Sequence, residues 1–206
     1  MAEGRAIDAA VSRLGHLMRQ GRTPTVTSIR AEAEATFSDA LDGAGVDVVP
    51  AVREGILTQV TAVLKAYRRS EIAGLARPKT RVILINNEVG VYAQPDFWDG
   101  RGRIYEMKSY LAVPPKPDVG LQLRLFQLAF PRFESVLICF DRHTQPVETT
   151  RMILPPPTRE ERAADLGRAY SLGIRFGQNK VLEYLEGPFE HYAVTSGAGA
   201  SEVTPP

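Results

Sequence analysis

One cysteine, one tryptophan and three histidines are all that this chain of 206 residues holds of those side chains. The single thiol, Cys139, excludes an internal disulfide, a cysteine zinc site and a four-cysteine iron–sulfur cluster. His16, His143 and His191 lack metal-ligand spacing and read as surface or turn residues. No uncharged apolar run approaches the about 18 residues of a membrane helix, so no membrane is expected as a partner. Met1 to Asp8 hold no apolar signal-peptide core, and the cytoplasm is the compartment expected by default. Charge of one sign is lacking too. Lys and Arg number 25 against 24 Asp and Glu, so no global field announces a polyanion.

What is present is ordinary globular composition, 44% hydrophobic and 24% charged, enough for one domain with a sizeable core. The charge is unevenly spread. Lys65 to Arg81 holds six basic residues against Glu71, and Arg101 to Arg132 holds six more against Glu106 and Asp118. Arg30 to Glu54 is acidic. The two basic stretches are candidates for contacts to a phosphate backbone, or are solvated faces.

Apolar spacing divides the chain. Ile7, Val11, Leu14, Leu17 and Met18 mark one helix face, closed by Gly21. A second helix is expected over 27–41 and a third over 51–75. After Pro78 the pattern turns β-branched. Three strands, 82–85, 89–98 and 103–110, read as an antiparallel meander with turns at Asn86 to Glu88 and Asp99 to Gly102. Pro114, Pro115 and Pro117 break the chain before a helix that runs to Phe130. Ser135 to Phe140 is a buried-type strand and Val147 to Leu154 an edge strand. A helix opens at Thr158, and a short one is expected over 178–185. The expectation is an α/β fold, a mixed central sheet flanked by helices, in one domain over 1–194. Within it lie a helical segment (1–77), a sheet core (78–154) and C-terminal helices (155–194), followed by a tail (195–206).

Three charged residues stand against the strand pattern: Asp96, Glu106 and Lys108. Strand alternation puts Glu106 and Lys108 on one face. If opposed residue numbers sum to 202, Gly100-Arg101-Gly102 is a three-residue loop with glycine at its last position. Asp96 then faces Glu106 with β-carbons about 5 Å apart. Two carboxylates that close repel unless a cation lies between them, and magnesium or manganese answers that repulsion. With a lysine beside them, the three suit phosphodiester hydrolysis. The alternative for such a triplet is a cross-strand salt bridge. Gln94 shares the Asp96 face, and Tyr92, Trp98 and Tyr110 are either stacking surfaces or cross-strand partners.

Pro95-Asp96, Glu106-Met107-Lys108 and the downstream Gln122 resemble the PD-(D/E)XK nuclease superfamily, and within it the RecB-like exonuclease branch. The resemblance covers roughly 88–141. It implies a restriction-endonuclease-like core and metal-dependent cleavage of DNA, in repair, recombination or defence. It further implies a metal on Asp96, Glu106 and the Met107 carbonyl, Lys108 on the water, and Gln122 orienting Lys108 or the scissile phosphate. The branch's tyrosine four residues after the glutamine is Phe126 here. Where the branch often shows glycine, three residues and a histidine, this chain reads Gly4 to Asp8, making Asp8 a candidate third ligand or a plain first-turn acid. DNA ends or single strands are the implied partner, with a helicase or a second copy of the chain beside it. The rival reading is a catalytically silent nuclease-fold module for nucleic-acid binding or assembly.

Overall fold

The computed structural model describes residues 2–43, 45, 48–85, 90–109, 117–176 and 190–193. The expected turn at Asn86 to Glu88, Tyr110, the Pro114–Pro115 break, the helix over 178–185 and the tail from 195 lie outside the described residues. Among the described residues, five helices and seven strands follow in mixed order. The helices are α1 (Ala2–Arg19), α2 (Val26–Asp42), α3 (Pro50–Arg69), α4 (Pro117–Ala129) and α5 (Arg159–Phe176). The strands are β1 (Arg81–Leu84), β2 (Gly90–Ala93), β3 (Phe97–Trp98), β4 (Arg103–Lys108), β5 (Glu134–Asp141), β6 (Glu148–Leu154) and β7 (Glu190–Ala193).

The chain divides into two compact units. Met1–Ala76, Met107–Val113 and Leu137–Met152 form one, and Arg77–Glu106, Pro114–Val136 and the described residues of Ile153–Pro206 form the other.

In the first unit, α1, α2 and α3 pack pairwise. Their apolar stripes close a core in which Ala6, Phe37, Leu41 and Leu57 meet, with Ala40, Val48 and Ile56 against them. Burial of each large apolar side chain stabilises by roughly 1.5–3 kcal/mol. Thr25 caps α2, its hydroxyl accepting from the Ser28 N–H at 3.1 Å. Pro50 opens α3, where its missing N–H costs nothing. The third helix ends at Arg69, short of the expected residue 75. Ser70 has extended backbone, and its hydroxyl donates to the Tyr67 carbonyl. Gly15 lets α1 approach α3: a Cβ there would lie 2.8 Å from the Tyr67 hydroxyl, in a fully buried place.

In the second unit, β1 pairs antiparallel with β2 and parallel with β7, in the order β2-β1-β7. Val82 and Ile83 are both buried, as a central strand requires. Helix α4 packs on β1, β2 and α5. Gln127 of α4, fully buried, donates its amide to the carbonyls of Phe133, Leu154 and Pro155, at 3.4, 3.2 and 2.8 Å. Arg81 donates to the Ala129 carbonyl at the C-terminal end of α4, and its guanidinium lies 4.4 Å from the Phe130 ring centroid. Thr158 and Glu161 form a reciprocal capping box at the start of α5. A second sheet has the order β3-β4-β5-β6.

The α/β class and a mixed sheet are what the chain adopts; among the described residues the strands fall in two hydrogen-bonded sets. The segment expected as one strand over 89–98 is two. Pro95 has no N–H for a ladder and cannot continue a paired strand, so β2 ends at Ala93 and β3 resumes at Phe97. The halves join different sheets, and the expected three-stranded meander is not formed.

Candidate active site

The β3–β4 hairpin carries the candidate residues. Phe97 pairs with Tyr105 and Trp98 with Ile104, so opposed numbers sum to 202 as the loop spacing predicts. Asp99 closes the loop: its carboxylate accepts from the N–H groups of Arg101 (2.7 Å) and Arg103 (3.0 Å), and its own N–H donates to the Arg103 carbonyl. Gly100 and Gly102 have φ of 71° and 123°, a backbone that side chains with a Cβ resist. The Glu134 N–H donates to the Gly102 carbonyl and ties the loop to the start of β5.

One step further along this register stand Asp96 and Glu106. Asp96 is half-buried just before β3, and Glu106 lies inside β4 with 4% of its surface exposed. Alternation along β4 puts Glu106 and Lys108 on one side of the strand and Tyr105 and Met107 on the other. Glu106 thus takes a place that apolar residues fill elsewhere on β4, Ile104 and Tyr105 being 1% and 3% exposed. An ionised carboxylate in such a place is costly unless its environment holds it.

Gln122, half-buried on α4, lines a cleft of about 380 Å³ with Tyr92, Gln94, Leu121, Leu125 and Phe126. The Tyr92 hydroxyl donates to the Gln94 side-chain carbonyl at 2.9 Å. The structure therefore brings Gln122 together with Phe126 four residues on, and with two polar side chains of the 92–94 segment.

Asp8 is exposed on α1. Among the described residues there is no group of three or more His, Cys, Asp or Glu side chains that could hold a metal ion together. The three-carboxylate centre expected of Asp8, Asp96 and Glu106 is thus not formed, and Asp8 lies on the second turn of α1, which begins at Ala2. His16 and His143 are exposed, as expected. His191 lies on β7 opposite Val82. Cys139 is a buried strand residue. Trp98 packs edge-on against Phe133, with centroids 6.3 Å apart, so it is a partner within the fold while still 39% exposed. No described helix is long and apolar enough to cross a membrane.

Gln127 and Asp165 are among the buried polar residues that the sequence pattern did not single out. Gln127 lies four residues after Leu123, on the apolar stripe of its own helix, and that displacement of an apolar side chain was its signal. Asp165 is 3% exposed, and its Oδ2 has no hydrogen-bond partner among the described residues.

No family model matches the chain, and no curated protein matches it. Among solved structures, the crystal structure of SSO0001 is similar at 13% identity and a TM-score of 0.39, covering 82% of this chain and 85% of that one. An alkaline exonuclease from Laribacter hongkongensis (LHK-Exo) is similar at 15% identity and a TM-score of 0.38, covering 85% of this chain and 93% of that one. Likeness of this degree assigns no activity to the chain.

Proposed function

We propose that this protein is a magnesium- or manganese-dependent nuclease of the PD-(D/E)XK type that hydrolyses DNA phosphodiester bonds. The observation that supports the reading is the β3–β4 register, Phe97 opposite Tyr105 and Trp98 opposite Ile104, which if continued by one step would oppose Asp96 and Glu106, with Lys108 two residues further along β4. The donor set fits the metal. Magnesium takes hard oxygen ligands, is bound through one or two carboxylates and keeps several waters, so a third protein carboxylate is not needed. Asp96, Glu106 and the Met107 carbonyl would hold it. When bound, the cation supplies positive charge against the phosphate oxygens.

The rest of the chemistry falls to the protein. Lys108 orients the attacking water through its ammonium group and offsets negative charge as it develops on phosphorus. Gln122, a neutral amide with two donors and an acceptor, fixes Lys108 or a non-bridging phosphate oxygen. Burial of Glu106 lowers the local dielectric, which strengthens each of these charge interactions. The PD-(D/E)XK resemblance of Pro95-Asp96 and Glu106-Met107-Lys108 supports the same assignment.

The test is a cleavage assay with magnesium or manganese on single-stranded, duplex and branched DNA, with RNA alongside. Cleavage of DNA that is lost in both Glu106→Gln and Lys108→Ala is the expected result. Absence of cleavage on every substrate, or undiminished cleavage by either variant, overturns the reading.

A further inference from the structure

The first unit carries a groove outside the candidate active site, with basic walls. It runs along α3 against the segment that enters β6. One stretch, of about 420 Å³, is bounded by Lys65, Arg69, Ser70 and Thr149 over a floor that includes Ala66. The next, of about 360 Å³, continues past Thr58 to Arg30. Ala62, Lys65, Pro146 and Val147 line both, so the two are continuous.

The cations here are differently engaged. Arg30 is held by Glu54, its Nη2 donating to both carboxylate oxygens at 2.9 and 2.8 Å. Arg68 donates to the Pro24 carbonyl and has no carboxylate partner among the described residues. Lys65 and Arg69 have neither an ion-pair nor a hydrogen-bond partner among the described residues. They stand four residues apart on α3, hence side by side on its surface. Glu71, the nearest acid in sequence, is taken by Arg151 at 3.0 Å. Glu148 is exposed between Val147 and Thr149, outside the lining.

Two unpaired cations with hydroxyls beside them match phosphate oxygens. The elongated shape matches a polymer rather than a single ion, and the floor of alanine, proline and valine can take the apolar faces of sugars and unstacked bases. We propose that this groove binds the backbone of single-stranded DNA. The inference concerns binding alone and stands whether or not Asp96 and Glu106 hydrolyse anything.

The experiment is fluorescence anisotropy of the full chain with a labelled oligothymidylate, in EDTA so that no metal-dependent step contributes, over a range of salt. K65Q/R69Q is compared with R5Q/R22Q, which removes the same charge from exposed sites outside the groove. K65Q/R69Q is expected to weaken binding on the order of tenfold at moderate salt. The slope of log Kd against log salt should fall by about 1.4, from about 0.7 per phosphate contact on single strands. R5Q/R22Q should leave both near the wild-type values. Unchanged binding by a folded K65Q/R69Q, equal weakening by R5Q/R22Q, or tighter binding of a duplex of the same length overturns the proposal. If K65Q/R69Q does not fold, R69E at the exposed end of α3 takes its place, and unchanged binding by R69E overturns the proposal equally.

Discussion

The α1–α3 bundle and the β3–β4 hairpin bury their residues on different terms. In the bundle the buried polar groups serve the bundle itself. The Thr36 hydroxyl donates to the Glu32 carbonyl and the Thr61 hydroxyl to the Leu57 carbonyl, each one turn back along its own helix. Everything else buried there is apolar or, like Tyr67, aromatic. The hairpin instead places a carboxylate, Glu106, at 4% exposure on a strand of otherwise apolar buried positions. A bundle tuned only for packing loses stability whenever it is changed. A strand that keeps a charge where an apolar residue would pack better is expected to lose activity first.

That contrast can be broken most sharply at Glu106. Glu106→Gln keeps the shape and removes the charge, so cleavage should fall at least 10³-fold, about 4 kcal/mol of barrier, while the thermal midpoint stays level or rises. Lys108→Ala should match it in turnover with metal affinity retained, as calorimetric titration with manganese would show. A midpoint that drops steeply in Glu106→Gln with turnover intact would make Glu106 a structural residue like those of the bundle.

In the bundle the order reverses. Phe37→Ala removes a side chain at 1% exposure and should cost about 3–5 kcal/mol. At roughly 2–4 °C per kcal/mol for a chain of this size, calorimetry would register a fall on the order of 10 °C. Gln127→Leu on α4 sits between the two cases. It leaves three carbonyls without their donor and should cost roughly 1–3 kcal/mol in denaturant unfolding. Gly15→Ala pushes the buried Tyr67 hydroxyl from its place, at a cost of roughly 1–3 kcal/mol as overpacking does.

The smallest effect concerns pH. The Thr158 backbone N–H, bonded to the Glu161 carboxylate, holds that carboxyl below its ordinary value, with Arg124 adding to the effect. A carboxyl depressed by folding adds stability above its unfolded pKa, and that stability is lost as pH falls through the folded value. Glu161→Gln should therefore be slightly less stable than the parent at neutral pH and equal to it in acid. A gap that persists in acid would assign the effect to helix propensity instead.

Much of this was legible in the chain. The hairpin register followed from Asp99, Gly100 and Gly102, because few residues tolerate positive φ and a three-residue loop fixes the pairing on both sides. The bundle followed from apolar residues at helical spacing. The break at Pro95 was written in the sequence too, yet the β-branched and aromatic residues around it read as one strand, and only sheet pairing separates β2 from β3. Strand β7 left little trace. Glu190 to Ala193 is too short and too polar to announce a strand, and its partner lies far upstream. The cleft around Gln122 depended on α4 packing over β2, which spacing along one helix does not encode.

That distant partner has a consequence for synthesis. Strand β1 has one neighbour, β2, within a few residues, and receives the other only when Glu190 to Ala193 has left the ribosome. Until then a short, apolar strand presents an open edge to whatever else is nascent nearby, the condition under which intermolecular strand pairing competes with folding. A ribosome-bound chain that stops at Phe176 would carry its bundle complete and its β1 edge exposed. It should engage chaperones longer than a chain whose sheet closes locally.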